Sequence, residues 1–126
     1  MQYEEFRQRV EEQIGADRAD DPADKAIAVT LQTLSERLSG GEAKDLAAQL
    51  SGELQSPLQQ SDEAAEDFSV EEFFRRIAER EGVDVDTARD DAAVVMRVLR
   101  EALTQGELDD VMAQLPPEFN ERLSLS

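Results

Sequence analysis

The chain has 126 residues and carries 30 acidic against 13 basic side chains, which gives a formal net charge of −17. This excess of carboxylates argues against a nucleic-acid reader, because such proteins need Lys and Arg to neutralise phosphates. The absence of Cys and His excludes thiolate and imidazole catalysis, Cys/His zinc sites and disulfides.

The location follows from hydropathy and from the first residues. The longest apolar run, Ala92–Met96, has five residues, far short of the roughly 18 that a membrane span needs. The chain opens with acidic rather than basic residues, which is not the pattern of a signal peptide. We therefore expect a cytoplasmic protein with no membrane or nucleic-acid partner.

The charged surface has two interpretations. Eleven of the basic residues are Arg and only Lys25 and Lys44 are Lys, and this bias with an acid excess is typical of salt-accumulating organisms. High salt screens exposed charges within a few Å, so that self-repulsion becomes tolerable. The alternative is an acidic surface meant for a basic partner. Because the acids are spread along the whole chain, adaptation to high salt is favoured.

The first predicted helix has apolar residues at three- and four-residue spacing, namely Tyr3, Phe6, Val10 and Ile14. Gly15 is expected to end it as a left-handed C-cap. The second helix opens with Asp21-Pro22, an N-cap acid and a proline at the first helical position. Its expected buried residues are Ile27, Leu31, Leu34 and Leu38.

Shorter helices complete the first half. The chain turns at Ser39–Glu42 and continues as a third helix with Leu46 and Leu50. A break at Ser51-Gly52 precedes a last turn or two that carries Leu54 and Leu58. An acidic linker follows, and it is expected to be exposed.

The second half begins with a capping box, in which Ser69 is followed by Glu72. The helix that it opens carries Val70, Phe73, Phe74 and Ile77, ends at Gly82, and contains the predicted ion pairs Glu71–Arg75 and Glu72–Arg76. A long helix capped by Asp84 is expected to bury Ala92, Val95, Met96, Leu99 and Leu103. Thr104–Glu107 then turns the chain into a third helix with Leu108, Val111, Met112 and Leu115, and the Pro116-Pro117 break precedes Phe119 and Leu123. No segment alternates with a period of two, so no strand is predicted.

The two halves repeat one pattern. At an offset of 67 residues Phe6, Arg9, Val10 and Gly15 match Phe73, Arg76, Ile77 and Gly82. At an offset of 65 Leu34, Gly41, Gln49 and Leu58 match Leu99, Gly106, Gln114 and Leu123. The chain is therefore predicted to be one all-α domain over residues 1–126, with repeats at 1–60 and 68–124 joined by an acidic linker at 61–67. Since a unit of about 60 residues has little core of its own, the repeats are expected to pack around a pseudo-twofold axis.

Three phrases in the chain resemble a bacterial and archaeal family, domain of unknown function 2267. They are Leu38–Leu50 (LSGGEAKDLAAQL), Phe73–Asp84 (FFRRIAEREGVD) and Gly106–Pro116 (GELDDVMAQLP). The resemblance spans nearly the whole chain and implies an all-helical, duplicated domain. It implies no catalytic or binding residue. The chain differs from the family pattern in its surface acidity and in Ser51-Gly52, where the second copy has Pro116-Pro117.

Carboxylates are the only abundant reactive groups. They crowd the starts of both long helices, at Asp17, Asp20, Asp21 and Asp24 and at Asp84, Asp86, Asp90 and Asp91. Mg²⁺ or Ca²⁺ takes such oxygen ligands, but the spacing does not fit an EF-hand, and a bundle di-iron site needs His. Helix capping is the favoured interpretation. Acid/base catalysis needs a desolvated carboxyl, whereas nearly all these acids are expected on solvated helix faces.

Three further sets of polar residues match between the halves or cluster. Gln49 and Gln114 either line a groove between the repeats or, as favoured here, each satisfy a helix end near Ser51 or Pro116. Glu42 and Glu107 are interpreted as acids of a first helical turn. The arginines at 75, 76 and 80 either hold an anion or, as favoured, pair with acids of their own helix.

The sequence thus favours a non-enzymatic protein-binding or interaction module, adapted to high salt, that presents a helical groove or face to another protein or to itself. The alternative is a small carboxylate-based divalent-metal-binding protein or enzyme. A weaker third hypothesis is a nucleic-acid mimic that binds a basic protein. No cofactor is predicted, and no catalytic, cofactor-binding or metal-binding residue is assigned.

Overall fold

The computed structural model describes residues 1–14, 23–50, 52–58 and 65–123, and within these ranges it is all-helical with no strand. The helices are α1 (Tyr3–Ile14), α2 (Ala23–Arg37), α3 (Gly40–Ala48), a short 3₁₀ turn (Gly52–Leu54), α4 (Gln55–Leu58), α5 (Val70–Glu81), α6 (Val85–Ala102), α7 (Gln105–Ala113) and α8 (Pro117–Arg122). None of them is both long enough and apolar enough to cross a membrane.

Several predicted helix boundaries are confirmed by their capping contacts. The Ser69 hydroxyl accepts a hydrogen bond from the Glu72 amide at 3.1 Å, as its place before α5 predicts. Gly82 ends this helix with φ of 75°, a conformation that an L side chain rarely adopts. Asp84 caps α6 by accepting from the Thr87 amide at 2.7 Å, and this bond lowers the pKa of its carboxyl. Local sequence signals therefore decide where α5 ends and α6 begins.

Other predicted boundaries lie elsewhere or outside the described residues. Gly15 and the predicted cap Asp21-Pro22 are outside the described ranges, where α2 begins at Ala23. Leu103 was expected inside the buried face of α6, but the helix ends at Ala102 and Leu103 is only half-buried. Its backbone is extended, at ψ of 152°, which turns its side chain out of the helical register.

The short helices α1 and α5 each pack against both long helices, α2 and α6, and these long helices also touch one another. The third helices meet at the other end of the domain, where α3 contacts α7 and α4. Phe73 of α5 packs on α8, where its ring lies edge-on to Phe119 with 5.5 Å between the ring centroids. The largest fully buried side chains are Phe6, Ile27, Leu31, Leu34, Leu38, Leu46, Leu54, Leu58, Phe73, Phe74, Ile77 and Phe119.

Candidate functional site

A cavity of about 570 Å³ lies where α1, α2 and the segment Gly52–Leu58 meet. Its volume is within the range of pockets that bind small molecules. The residues around it are Tyr3, Glu4, Arg7, Asp24, Ile27, Ala28, Gln32, Glu53, Ser56 and Pro57.

Asp24, at the start of α2, organises the polar wall of the cavity. Its Oδ1 accepts hydrogen bonds from the Tyr3 hydroxyl and, at 2.9 Å, from Nε of Arg7. Burial of the phenol and its bond to Asp24 raise the pKa of Tyr3 above the ordinary value of 10.0, so that Tyr3 keeps its proton to a higher pH than a free tyrosine does. A second bond from Arg7 to Glu11, at 2.9 Å, fixes the guanidinium along α1.

The cavity combines an apolar surface with an excess of negative charge. Ile27, almost fully buried, and Pro57 supply apolar surface. Among the described residues that line it there are one guanidinium, from Arg7, and three carboxylates, from Glu4, Asp24 and Glu53. Such a lining favours a ligand that has an apolar stem and a cationic end.

The sequence indicated only part of this site. Tyr3 was expected to pack on the apolar stripe of α1 and Asp24 to serve at a helix start, and neither role predicts that they bond to one another. Arg7, Glu4 and Glu53 were not singled out. Glu53 belongs to a segment far from α1 in sequence, and no local pattern indicates that this segment lies beside Glu4 and Arg7.

Three of the acids near the start of α6 cap the helix, form an ion pair or lie buried. Asp84 is the cap described above, Asp86 pairs with Arg89 at 3.3 Å, and Asp91 is buried. Across the described residues there is no group of three or more Asp or Glu placed to hold a metal ion. Asp17, Asp20 and Asp21 lie outside those residues.

The arginines of α5 pair with acids of their own helix and of other segments, and Arg75 pairs with Glu72 one turn away. Arg76 bonds Glu72 of its own helix at 2.9 Å and also Glu36 of α2 at 3.0 Å. Arg80 bonds the same Glu36 at 2.8 Å. The predicted Glu71–Arg75 pair is replaced by Glu71–Arg122 at 3.0 Å, which joins α5 to α8. Pairing within the helix is therefore confirmed for Arg75 and Arg76, including the predicted Glu72–Arg76 pair. It is wrong for Arg80, because helix packing brings Glu36 of α2 within reach of this guanidinium.

The matching amides Gln49 and Gln114 each reach the helix start of the opposite half. Oε1 of Gln114 accepts from the Ser39 amide at 2.9 Å, and Oε1 of Gln49 accepts from the Thr104 amide at 3.3 Å. Each amide does satisfy a helix end, but that end is the N-cap of the other half's third helix rather than the turn near Ser51 or Pro116. Only the α3–α7 packing makes this exchange possible.

Within the described part of the chain four acids are buried, contrary to the expectation that the acids lie on solvated faces. Glu81 and Asp91 lie at 6% and 3% exposure, and Glu42 and Glu107 lie at 8% each. The latter two do occupy first helical turns, as predicted. Their burial follows from the contact between α3 and α7, which the sequence pattern does not reveal.

Comparison with known proteins identifies the family. The model of a family described as an uncharacterised conserved protein, DUF2267, matches residues 3–122. The comparison with curated proteins found no match.

Proposed function

The chain belongs to the DUF2267 family, and we propose that it is a non-enzymatic, cytoplasmic binding module whose cavity takes a cationic side chain of a partner protein. The observation that carries this proposal is the cavity of about 570 Å³ with three carboxylates and one guanidinium around it. A Lys or Arg side chain has the stem and the charge that this lining favours.

The charge of the whole chain supports the same partner. With a net charge of −17, the protein attracts basic partners over a distance and repels acidic ones. At the cavity Arg7 is already engaged by Asp24 and Glu11, whereas Glu4 and Glu53 are exposed. These two carboxylates are the groups that we expect a bound cation to meet.

N-acetyl-arginine amide serves as the probe, with N-acetyl-alanine amide as the neutral comparison. Titration followed by amide NMR should shift the Ile27 and Ala28 signals saturably with the arginine probe and not with the alanine probe. The double variant Glu4→Gln/Glu53→Gln should weaken this binding about fivefold, which corresponds to about 1 kcal/mol.

A control variant with the same change in charge distinguishes binding at the cavity from attraction by the net charge of the whole protein. Glu79→Gln/Glu121→Gln removes two exposed acids away from the cavity and should leave the affinity nearly unchanged. Equal weakening by both double variants would show that the probe follows net charge alone, and the proposed site would be wrong.

We also propose that the domain is a tandem duplication with pseudo-twofold symmetry and repeats at 1–60 and 68–124. The reciprocal contacts of Gln49 and Gln114 support this arrangement, because each half supplies the same group to the same position of the other. For Gln114 the contact is partly buried and for Gln49 it is exposed, so Gln114→Ala should destabilise more than Gln49→Ala.

We propose in addition that the protein is adapted to high salt. The excess of acidic side chains supports this proposal. The melting temperature should rise steadily with KCl as self-repulsion is screened.

The alternative of a divalent-metal protein rests on the loop acids Asp17, Asp20 and Asp21. It predicts a saturable rise in melting temperature with Mg²⁺, Ca²⁺ or Mn²⁺ at fixed ionic strength.

A further inference from the structure

Glu42 of α3 and Glu107 of α7 face one another where these two helices pack. Each side chain is more than nine-tenths buried, at 8% exposure. Oε1 of each has no hydrogen-bond partner among the described residues. Two buried carboxylates in contact are unfavourable, since neither has a hydrogen to donate and both carry negative charge.

The usual partner of each glutamate is occupied. A glutamate at the third position of a helix ordinarily accepts from the N-cap amide, and here the N-cap side chains of Ser39 and Thr104 do bond the amides of Glu42 and Glu107, both at 3.2 Å. The N-cap amides themselves donate instead to Gln114 and Gln49. The exchange of amides between the halves thus leaves both carboxyls to face each other.

We infer that Glu42 and Glu107 form a proton-binding site, in which one carboxyl keeps its proton and donates it to the other across the α3–α7 contact. One shared proton supplies the missing donor and removes one of the two charges. This inference is independent of the cavity, because neither glutamate lines it.

The surrounding charges favour retention of the proton. Burial and the Glu107 carboxyl raise the pKa of Glu42 from 4.5 to about 7, and Asp110 and Asp45 add to the effect. The other helix packed on α3, α4, carries no ionisable side chain in Gln55–Leu58. The carboxylates of Glu107, Asp110 and Asp45 thus oppose the ionisation of Glu42.

The raised pKa of Glu42 should make the fold less stable as the pH rises. Because the folded pKa of Glu42 exceeds the unfolded value, the folded state binds more protons between pH 4.5 and about 7. The contribution of the pair to stability is present below pH 4.5 and is lost as the pH rises through 7. The α3–α7 contact should accordingly be tightest at mildly acidic pH.

The test compares the melting temperatures of the wild-type chain, Glu42→Gln, Glu107→Gln and the control Glu79→Gln between pH 5 and pH 8. Gln keeps the shape of a protonated Glu and its ability to donate. Over this range the wild type and the control should lose about 5 °C more than either Gln variant. Parallel curves for all four proteins would overturn the inference.

Carboxyl ¹³C NMR of the wild type tests the site without any substitution. A glutamate carboxyl should titrate near neutral pH, and its signal should be absent in Glu42→Gln or Glu107→Gln. Titration of all glutamates near pH 4.5 would contradict the inference. A saturable stabilisation of the wild type by Mg²⁺, Ca²⁺ or Mn²⁺ at pH 8 that either Gln variant abolishes would show a metal there instead of a proton, and would also overturn it.

Discussion

The helices α1 and α5 have the same length, 12 residues, and both pack against α2 and α6, yet they are buried to different extents. In α1 only Phe6 and Val10 are buried. The buried residues of α5 are Val70, Phe73, Phe74, Ile77, Ala78 and Glu81. One helix is therefore embedded in the core, whereas the other leaves a cavity beside it.

The polar contacts of α5 with α2 are also more buried than those of α1. Arg76 and Arg80 of α5 meet at Glu36, whose side chain is 20% exposed. Arg7 and Tyr3 of α1 meet at Asp24, whose side chain is 60% exposed. Ion pairs gain strength as water is excluded. We therefore expect the α5 side to contribute more to stability than the α1 side, where the cavity leaves room for a ligand.

The largest expected effect is on the core of α5. Phe73→Ala removes a ring with no exposed surface that contacts Phe74 and Phe119. It should lower the free energy of unfolding by about 3–5 kcal/mol. Urea unfolding at constant high salt measures this loss. The exposed Val85, changed to Ala, is the control and should cost less than about 0.5 kcal/mol. A similarly small loss for Phe73→Ala would contradict the conclusion that α5 contributes strongly to the stability of the core.

The ion pairs of α5 and α1 with α2 should also differ in how much they stabilise the fold. Glu36→Gln leaves two half-buried guanidinium groups without their shared carboxylate and should cost about 1–2 kcal/mol. Asp24→Asn, on the exposed side, should cost about 0.5 kcal/mol or less. Urea unfolding of both variants is compared with that of Glu79→Gln, which removes one exposed charge and corrects for reduced self-repulsion. Equal losses for Glu36→Gln and Asp24→Asn would refute the difference between the two sides.

The smallest effect concerns Tyr3, the one tyrosine in the chain. Because burial and Asp24 raise its pKa above 10.0, the folded state holds the phenolic proton more tightly than the unfolded chain does. The small stabilisation from this bond is present below pH 10 and is lost as the pH rises beyond it. Ultraviolet absorbance should show a titration midpoint above 10.0 in the wild type and a lower one in Asp24→Asn. An unchanged midpoint in the variant would show that Asp24 does not act on Tyr3.

Periodicity and capping residues predicted much of this fold. The buried positions Phe6 and Val10, the α5 cap Ser69 and the end at Gly82 all depend on residues within one or two turns of each other, so local sequence is sufficient to specify them. The candidate sites were not predictable in this way. The cavity joins three segments distant in sequence, and no short-range pattern records which of their side chains converge.

The all-helical class, the helix ends at Ser69, Gly82 and Asp84, and the absence of Cys and His chemistry can all be read from the amino-acid sequence. These properties depend on composition and on contacts within a turn. Tertiary structure alone decided that Gln114 would cap the helix after Ser39, that Arg80 would bond Glu36 rather than an acid of its own helix, and that Glu42 would be buried against Glu107. The physical reason is that burial and charge pairing depend on which helix faces meet, and side-chain spacing along one helix does not specify its neighbour.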